Sequence, residues 1–580
     1  MTDGHEKALT TRAGASPTIG ELFRARALIH KSSVAIEYQG RQISYGQLLD
    51  RVHRATSMLA SQDLRRGDRV ALLSRNRPEY LEVELAAANL GVITACLNWR
   101  LSQRELAYCI DLVSPKLLIV EEELAGNLEL SPIGDRKVIK IGPQYEHILQ
   151  EQNGHALPIA AESEDGLVIL YTSGTTGQPK GAVISHRAMI MRALVFSSEL
   201  NISHHDTFVA WAPLFHMAST DHSLATLLRG GTVVVVDGFQ IEPLLSALER
   251  HRIGWFVLIP GMIEAFIAGF KEQKTTVKGV GLCGAMADLV PPHVIAEVTD
   301  LLRAPYVNSF GSTETGLPPA TRSLIPVGEI PASLAKQQSA FCDIKLVDSA
   351  DKEVPIGAPG ELAIRSPTLF SGYWKADDTN VRDFRGGWFH MGDVFRRNDD
   401  GSLDFVDRAK YMIKTGGENV YPAEIERVLM SDAGITEAAV VRVPDVKWGE
   451  VPVAFVSRRD TTVTEADLFA LCRRDLAGYK CPRQFRFIDF SEFPRSTSGK
   501  VQRHGDEQGQ QWQPDGWLTA NVGQWGKQDQ ALYHRGQYQQ CRRQAEQLLP
   551  RSRSALLLRG GQQVEQASQC QVDGIRGGQQ

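Results

Sequence analysis

The sequence has 580 residues, of which 43% are hydrophobic and 23% are charged, and its formal net charge is −5. A chain of this length exceeds one compact core, so we expect a large domain with one or two smaller ones. The nearly balanced charge gives no overall basic field, which argues against nucleic acid as a partner.

The first half of the chain alternates helix and strand patterns. Ser44 precedes a helix whose apolar residues, from Leu48 to Leu59, fall at helical spacing. Two more helices are predicted, at residues 78–90 and 106–112. Strands are predicted at residues 69–73, 92–97, 116–120, 167–170, 232–236 and 255–259. Such alternation predicts an α/β fold with mixed, mainly parallel sheets and flanking helices.

The pattern changes near Arg408. Residues 422–503 contain one helix pattern (423–430) and two strand patterns (438–443 and 453–456), as in a small α+β unit. We therefore predict a large domain at residues 1–408 and a small C-terminal domain at residues 409–503. Residues 504–580 are rich in Gln, with 19 Gln among the 76 residues from Gly505 to Gln580. This tail is predicted to be disordered or to result from a displaced reading frame.

The sequence gives no sign of export or membrane insertion. No apolar run approaches the roughly 18–20 residues of a membrane span, and the first residues lack the apolar core of a signal peptide. The eight cysteines include no CxxC pair, which is typical of reduced thiols. We expect a cytoplasmic protein without a transmembrane segment.

A loop rich in Gly, Ser and Thr follows the strand at residues 167–170. It reads Tyr-Thr-Ser-Gly-Thr-Thr-Gly-Gln-Pro-Lys-Gly over residues 171–181. Glycines let a backbone approach a polyphosphate, N–H and hydroxyl groups donate hydrogen bonds to it, and lysine adds positive charge. The loop contains neither the Walker spacing GxxxxGK[ST] nor GxGxxG. Taken alone, such a stretch can also be a flexible surface loop.

This loop resembles the signature of the adenylate-forming superfamily of acyl-CoA synthetases, peptide-synthetase adenylation domains and beetle luciferases. Further motifs follow in the order of that family, at residues 308–316, 387–393, 407–420 and 494–501. The resemblance covers residues 20–503 and implies a small, mobile α+β C-terminal domain. It also implies Mg²⁺, with ATP and coenzyme A as co-substrates.

The resemblance implies a nucleotide site built from these motifs. Phe310 is expected to stack on adenine, Thr313 to meet the α-phosphate, and Glu314 to hold Mg²⁺, which proteins bind through few carboxylates plus substrate phosphates. Asp393 and Arg408 are expected to contact the ribose. The other expected ATP-binding residues are Thr172, Ser173, Gly174, Thr175, Thr176, Gly177, Lys180, Gly284, Ala285, Asn308, Gly311 and Lys500.

The resemblance also implies an acyl site. His216, in the motif at residues 213–217, would lie beside the reacting carboxylate, although a core histidine is the alternative. The implied catalytic residues are Lys500, His216, Thr176 and Glu314, and the implied acyl pocket comprises His216, Met217, Gly284 and Trp211. Apolar neighbours indicate an aliphatic or aromatic acid. No basic residue is clearly placed to pair with a second carboxylate, which disfavours a dicarboxylic acid.

Lys410 matches the hinge of the family, and the pair Gly416–Gly417 would let the pantetheine arm of coenzyme A pass close to the backbone. The sequence departs from the family pattern at Met391, where threonine is usual, and at Tyr411, where aspartate is common.

The implied activity is ATP-dependent formation of an acyl-adenylate from a fatty or aromatic acid, followed by transfer of the acyl group to coenzyme A. An adenylation enzyme that loads a separate carrier protein, a luciferase-like oxygenase and an acyl-adenylate-binding protein with reduced catalysis stay open as alternatives. The oligomeric state is also open, with a homodimer as one expectation.

The role implied for Lys500 predicts an asymmetric effect of its removal. Lys500→Ala should slow adenylation by about 10²–10³, because one fixed charge aimed at the transition state is lost. Thioesterification of supplied acyl-adenylate should change far less. Pyrophosphate release and thioester formation measure the two half-reactions separately, and equal losses in both would contradict the role.

Overall fold

The computed structural model describes residues 17–129, 136–172, 178–259, 262–415, 418–445, 448–495 and 501. In chain order the α-helices are α1 (Ile19–Ile29), α2 (Tyr45–Ser61), α3 (Pro78–Leu90), α4 (Gln103–Val113), α5 (Pro143–Glu151), α6 (His186–Glu199), α7 (Met217–Arg229), α8 (Ile241–Arg250), α9 (Ile263–Gln273), α10 (Pro292–Leu302), α11 (Asp377–Asp383), α12 (Pro422–Met430) and α13 (Glu465–Asp475).

The strands, also in chain order, are β1 (Val34–Tyr38), β2 (Arg41–Ser44), β3 (Arg69–Leu73), β4 (Ile93–Leu97), β5 (Leu117–Glu121), β6 (Lys137–Ile141), β7 (Gly166–Thr172), β8 (Lys180–Ser185), β9 (Phe208–Ala210), β10 (Val233–Val235), β11 (Ile253–Phe256), β12 (Val280–Cys283), β13 (Tyr306–Val307), β14 (Phe310–Ser312), β15 (Gly316–Ala320), β16 (Leu324–Ile325), β17 (Asp343–Val347), β18 (Pro359–Arg365), β19 (Phe389–Arg397), β20 (Leu403–Arg408), β21 (Ile413–Thr415), β22 (Glu418–Val420), β23 (Ile435–Asp445), β24 (Gly449–Arg458) and β25 (Gln484–Phe487).

The first large sheet has the strand order β6-β5-β3-β4-β7-β8. All its neighbours are parallel except β7 and β8, which form an antiparallel pair. Strands β4 and β5 are buried along their whole length, as expected of parallel strands covered on both faces. Helix α2 begins at a capping box, in which Ser44 accepts from the backbone N–H of Gln47, and it buries the apolar face predicted from the sequence.

Two four-stranded sheets continue the large domain. Their orders are β2-β1-β10-β9 and β11-β12-β13-β16, and a parallel bridge between Thr207 and Ile253 links them. Strands β1, β10 and β9 are parallel to one another, as are β11, β12 and β13. The carboxyl ends of parallel strands lie at one edge of a sheet, where ligands of α/β proteins bind.

A buried amide joins the first sheet to the second. Asn76, between β3 and α3, is 3% exposed. Its Nδ2 lies 2.8 Å from the carbonyl oxygen of Ala212 and 3.0 Å from that of Val236, and its Oδ1 accepts from the N–H of Leu214 at 2.8 Å. The carbonyls of Ala210 and Trp211 lie 3.2 and 3.3 Å away. Asn76 thereby fixes the segment that leads from β9 to His216.

An antiparallel sheet follows, in the order β17-β18-β19-β20, and the short hairpin β14–β15 precedes it. The alternation of helix and strand in the sequence did not predict this sheet. Asp393 of β19 and Arg408 of β20 are directly paired across it. Two neighbouring strands thus bring two motifs together that are 15 residues apart in the sequence.

A smaller sheet forms the C-terminal part of the described chain. Its order is β22-β21-β24-β23, with β25 parallel to β24, and helices α12 and α13 complete it. Its apolar side chains form a core of their own, which includes Ile413, Ile425, Val440 and Phe485. Asp407 links this unit to β20, because its carboxylate accepts from the N–H of Arg408 at 2.6 Å and from that of Ala423 in α12 at 2.8 Å.

The structure confirms the predicted fold class: a large N-terminal domain of mixed, mainly parallel sheets with helices, and a smaller C-terminal domain. The predicted bounds of β3 and α3 are those observed. The prediction of a strand over 255–259 was wrong in its bounds, because β11 runs from Ile253 to Phe256. Val257 and Leu258 are buried and apolar without belonging to a described strand. The predicted Gln-rich tail at 504–580 lies outside the described residues.

None of the described helices combines the length and the apolarity that a membrane span needs.

The Asn76 amide predicts a large stability difference between two Asn→Ala substitutions. Asn76→Ala should lower the free energy of unfolding by about 1–3 kcal/mol, because buried carbonyl groups lose their donor. Asn153→Ala, at an exposed loop position, should change it by less than about 0.5 kcal/mol. Urea denaturation measures both free energies. Equal midpoints for the two variants would contradict the role of Asn76 in joining the two sheets.

Candidate active site

The hairpin β7–β8 carries the two ends of the predicted phosphate loop. Thr172 and Lys180 lie opposite each other in the register of the pair. Lys180 is thus held at a sheet edge, directly across from Thr172. Ser173, Gly174, Thr175, Thr176 and Gly177 lie outside the described residues, so their predicted contacts with ATP stay predictions.

Glu314, the predicted Mg²⁺ ligand, is hydrogen-bonded to a tyrosine that the sequence did not point to. The hydroxyl of Tyr373 donates to Glu314 Oε1 at 2.8 Å, and Lys180 Nζ lies 4.9 Å from the centroid of the Tyr373 ring. Burial and the negative charge of Glu314 raise the pKa of Tyr373, so its hydroxyl keeps its proton and remains a donor. Tyr373 therefore joins the phosphate hairpin to the turn that carries Glu314.

Charged groups of both signs act on Lys180. Burial lowers the pKa of this lysine, the negative charges of Asp383 and Glu314 raise it, and the positive charges of Arg382 and Lys410 lower it. The ammonium of Lys410 lies 4.9 Å from the ring centroid of Tyr411. The role of Lys410 as the hinge stays a prediction.

The two predicted ribose residues form an ion pair. Arg408 Nε donates to Asp393 Oδ1 at 3.0 Å, and the side chain of Asp393 is 2% exposed whereas that of Arg408 is 42% exposed. The negative charge of Asp393 raises the pKa of Arg408, and Tyr411 and Glu314 act in the same direction. The structure therefore brings Asp393 and Arg408 together, while their predicted contact with the ribose stays a prediction.

Phe310 and Asn308 are both fixed by contacts inside the protein. The ring of Phe310 lies 4.9 Å from that of Phe395 and 4.8 Å from that of Phe405, centroid to centroid. Asn308 Nδ2 donates to the carbonyl of Leu334 at 2.9 Å, and its Oδ1 accepts from Lys336. Both ends of the Asn308 amide are engaged in this way, so the residue holds its own segment in place. Its predicted contact with ATP stays a prediction.

Gly311 and Thr313 lie in the hairpin that connects Phe310 with Glu314. Gly311 pairs with Pro319 across β14 and β15. The carbonyl of Thr313 accepts from Arg192 Nη2 at 2.9 Å, and the carbonyl of Glu314 accepts from the N–H of Phe370 at 2.9 Å. The backbone of the predicted phosphate and metal residues is therefore held by groups outside the hairpin.

On the acyl side, His216 caps helix α7. Its Nδ1 accepts from the N–H of Ala218 at 3.2 Å. In a neutral imidazole with this geometry Nε2 carries the proton and can donate to a substrate oxygen. Met217, the first residue of α7, packs partly buried against the main core. The structure thus places His216 in a loop before a helix, with an orientation set by its own capping bond.

Gly284 forms the turn after β12, and its predicted place in the acyl pocket stays a prediction. Its φ is +73°, and a Cβ at this position would lie 2.0 Å from Tyr306 Cε2. Trp255 Nε1 donates to the carbonyl of Gly284 at 2.7 Å, and the hydroxyl of Tyr306 donates to that of Ala285 at 3.0 Å. Two aromatic side chains therefore fix the carbonyls of this turn, and only glycine fits beside the Tyr306 ring.

Trp211 is 2% exposed, its Nε1 donates to the carbonyl of Val257 at 2.9 Å, and its ring packs against Phe239. This ring supports the strand ends from within the core. Its predicted place in the acyl pocket stays a prediction. Gly416, Gly417 and Lys500 lie outside the described residues, so the coenzyme A passage and the catalytic lysine also stay predictions.

Sequence reasoning missed Tyr373, Asn76 and Arg192, which position the motifs. Tyr373 follows Ser371–Gly372 and precedes Trp374, and this aromatic pair between polar residues was the only local signal. Asn76 and Arg192 lie in ordinary loop and helix patterns, and nothing in the sequence sets them apart. Their roles depend on contacts with residues more than 100 positions away.

The described residues fit a magnesium ion that arrives with a nucleotide. They contain no group of three or more His, Cys, Asp and Glu side chains that could hold a metal by themselves. Glu314 offers a carboxylate of which one oxygen is bonded to Tyr373. Proteins usually hold Mg²⁺ through one or two carboxylates plus substrate phosphates. Glu314 would suit this task, and its assignment as the Mg²⁺ ligand stays a prediction.

Comparison with protein families identifies two matching regions. Residues 23–374 match the AMP-binding enzyme family, and residues 424–500 match the AMP-binding enzyme C-terminal domain. A feruloyl-CoA synthase from Amycolatopsis sp. is 33% identical over 82% of this chain and 96% of its own length. An indoleacetate–CoA ligase from Aromatoleum aromaticum is 32% identical over 84% and 96%, respectively. A 2-succinylbenzoate–CoA ligase from Bacillus licheniformis is 30% identical over 83% and 98%.

Solved structures share the fold over the same part of the chain. An anthranilate CoA ligase in complex with anthranoyl-AMP superposes with a TM-score of 0.75 at 24% identity, over 84% of this chain and 96% of that one. The o-succinylbenzoate CoA synthetase from Bacillus subtilis, in complex with its acyl-adenylate intermediate, superposes with a TM-score of 0.71 at 26% identity, over 83% and 96%.

The bond between Tyr373 and Glu314 predicts a selective effect of removing one hydroxyl. Tyr373→Phe keeps the ring beneath Lys180 and should raise the KM for MgATP about tenfold, since a hydrogen bond to a charged group contributes about 1.5–3 kcal/mol. Tyr45→Phe removes a buried hydroxyl that donates to the carbonyls of Leu227 and Gly231, and it should leave this KM unchanged. Steady-state kinetics with MgATP as the varied substrate compares the two variants. A wild-type KM for MgATP in Tyr373→Phe would contradict the role of the Tyr373 hydroxyl in orienting Glu314.

Proposed function

The chain belongs to the AMP-binding enzyme family and is an AMP-forming acid–CoA ligase, and we propose that its acid substrate carries an aromatic ring. The reaction has two halves. The carboxylate of the acid attacks the α-phosphorus of ATP and releases pyrophosphate, and the thiol of coenzyme A then attacks the acyl-adenylate and releases AMP.

The observation that supports the assignment best is the convergence of separate motifs at Glu314. Tyr373 donates to Glu314 and lies 4.9 Å from Lys180 of the phosphate hairpin, Arg408 of the antiparallel sheet pairs with Asp393, and the charge of Lys410 lowers the pKa of Lys180. These residues are up to 230 positions apart in the sequence. Positive groups around one carboxylate suit a triphosphate, which brings more negative charge than the single carboxylate supplies.

For adenylation we assign the phosphates to Lys180 and to the loop that starts at Thr172. Thr313 is assigned to the α-phosphate, Phe310 to the adenine face, and Asp393 with Arg408 to the ribose hydroxyls. Glu314 holds Mg²⁺, which when bound offsets charge between the phosphates and favours departure of pyrophosphate. His216 orients the acid by donating from Nε2 to its carboxylate, and Lys500 supplies the positive charge at the transferring group.

For the thioester step we assign the hinge to Lys410 and the coenzyme A passage to Gly416 and Gly417. The boundary between the large domain (1–408) and the small domain (409–503) is part of this proposal. It is supported by the separate core of the C-terminal sheet and by the position of Asp407, which joins the last strand before the boundary to α12. Rotation about Lys410 would present a different wall of the small domain to the same acyl group.

The aromatic substrate is supported first by the relatives, because ferulate, indoleacetate and 2-succinylbenzoate, from which three of them take their names, each contain an aromatic ring. Trp255 donates to the Gly284 carbonyl and packs in the core against His222 at 4.8 Å and Phe196 at 5.8 Å, so these rings fix the turn that the proposal places beside the acid. That the enzyme acts in the cytoplasm and as a homodimer stays a prediction.

A panel of acids tests the proposal. Aryl acids such as 3-phenylpropenoate and indole-3-acetate should give kcat/KM values more than about tenfold above those of octanoate and dodecanoate, because a pocket of fixed rings discriminates shape by at least this factor. AMP formation that requires both the acid and coenzyme A is the readout. A preference for the straight-chain acids would contradict the aromatic substrate. Absence of acid-dependent pyrophosphate release with every acid would contradict the assigned activity.

A further inference from the structure

A buried arginine lies between the nucleotide side and the acyl side of the site. Arg192 belongs to α6, and its side chain is 2% exposed. Its Nη1 donates to Asp221 Oδ2 at 2.9 Å, its Nη2 to the carbonyl of Thr313 at 2.9 Å, and its Nε to the carbonyl of Thr368 at 3.1 Å. The planar guanidinium thus serves three acceptors from three different segments, which an ammonium cannot do in the same geometry.

The turn from Ser312 to Gly316 depends on this contact. Thr368 Oγ1 donates to the carbonyl of Thr315 at 2.7 Å, so Arg192 and its partner Thr368 hold the carbonyls on either side of Glu314. Gly316 has a φ of +75°, and a Cβ there would lie 2.9 Å from Cγ of Arg192. The arginine side chain therefore runs directly along the turn that carries Thr313 and Glu314.

The partner of Arg192 comes from the acyl side. Asp221 lies on α7, the helix that His216 caps, and its side chain is also 2% exposed. Burial raises the pKa of Asp221, whereas the charge of Arg192 lowers it. Removal of one member of a buried pair leaves an uncompensated buried charge, which destabilises the fold. Arg192 and Asp221 therefore depend on each other and act as one unit. This unit connects α7 with the turn at Glu314.

We propose that Arg192, held by Asp221, is a positioning residue for adenylation, which sets the backbone of Thr313 and Glu314 relative to the helix behind His216. This inference rests on the proposed roles of Thr313 and Glu314 at the α-phosphate and at Mg²⁺. A purely structural ion pair would support the fold without any selective effect on MgATP, and the two possibilities can be separated by experiment.

Arg192→Lys tests the inference in the full chain. It keeps the charge opposite Asp221 but loses the bonds to the Thr313 and Thr368 carbonyls together. The KM for MgATP and the Mg²⁺ concentration for half-maximal pyrophosphate release should each rise at least about tenfold, because the loss of a single charge-assisted bond already accounts for that factor. The KM for the acid should stay within about twofold of wild type. Equal rises in the KM values for MgATP and acid, or no rise, would overturn the proposal.

The control is Arg187→Lys on the same helix. Arg187 pairs with Glu164 at 2.8 Å and donates to the carbonyl of Pro367, in the segment that also contains Thr368, but no bond joins it to the turn at Glu314. Its KM for MgATP should equal that of wild type. A rise equal to that of Arg192→Lys would show that the effect comes from the 366–370 segment, which would also overturn the proposal.

A double variant separates positioning from folding. Arg192→Met with Asp221→Leu removes both buried charges, and buried pairs replaced in this way by apolar residues commonly fold. Its thermal unfolding temperature should fall by only a few degrees, because the carbonyls of Thr313 and Thr368 lose their donor while no buried charge is left unpaired. MgATP binding, measured by calorimetry, should be at least about tenfold weaker. Wild-type affinity for MgATP in the folded double variant would overturn the proposal.

Calorimetry of MgATP binding needs no acid substrate. It therefore tests the positioning role of Arg192 independently of the proposed activity. If wild-type protein binds MgATP but releases no pyrophosphate with any acid, the proposed activity fails while the effect of Arg192→Lys on MgATP binding still decides the positioning role.

Discussion

The site depends on how buried backbone carbonyls at the strand ends are satisfied. Loops that follow parallel strands enter the protein with carbonyl groups that water does not reach, and each one needs a donor. Asn76 supplies it for the segment before His216, Trp255 and Tyr306 for the turn at Gly284, and Arg192 for the turn at Glu314. These polar side chains hold the backbone of the site in place. The predicted site residues on that backbone can therefore adopt fewer orientations.

The site contains charges of both signs. Arg408 pairs with Asp393, and the ring of Tyr373 connects Lys180 with Glu314. Burial lowers the pKa of Lys180, whereas the carboxylates of Asp383 and Glu314 raise it. Tyr373 orients Glu314 by donating to one of its oxygens. In the proposed site, a polyphosphate at Lys180 would be held more strongly because of this burial, since charges attract more strongly in low-dielectric surroundings.

Much of the fold followed from local patterns. Strands such as β3 and helices such as α3 have the bounds predicted, because an apolar run between turn residues and a Pro at a helix start act locally. The antiparallel sheet β17–β20 escaped prediction, since it interrupts the alternation on which the reasoning relied. The strand predicted at 255–259 ended early for a related reason. Apolar residues 257 and 258 are buried in the core after the strand has ended, and hydrophobicity reports burial but not pairing.

The sequence by itself determined the fold class and the family. It also pointed to Lys180, Glu314, Asp393 and Arg408, because these residues lie in contiguous motifs whose chemistry can be inferred from residue type and order. The structure brings these four into one cluster. Only the tertiary structure decided which side chains hold that cluster in place. Tyr373, Asn76 and the pair Arg192–Asp221 act across separations of 29 to 160 residues, through contacts that exist only when the sheets and helices are packed. No local pattern records such a contact, since hydrogen bonds between distant segments leave no periodicity in the chain.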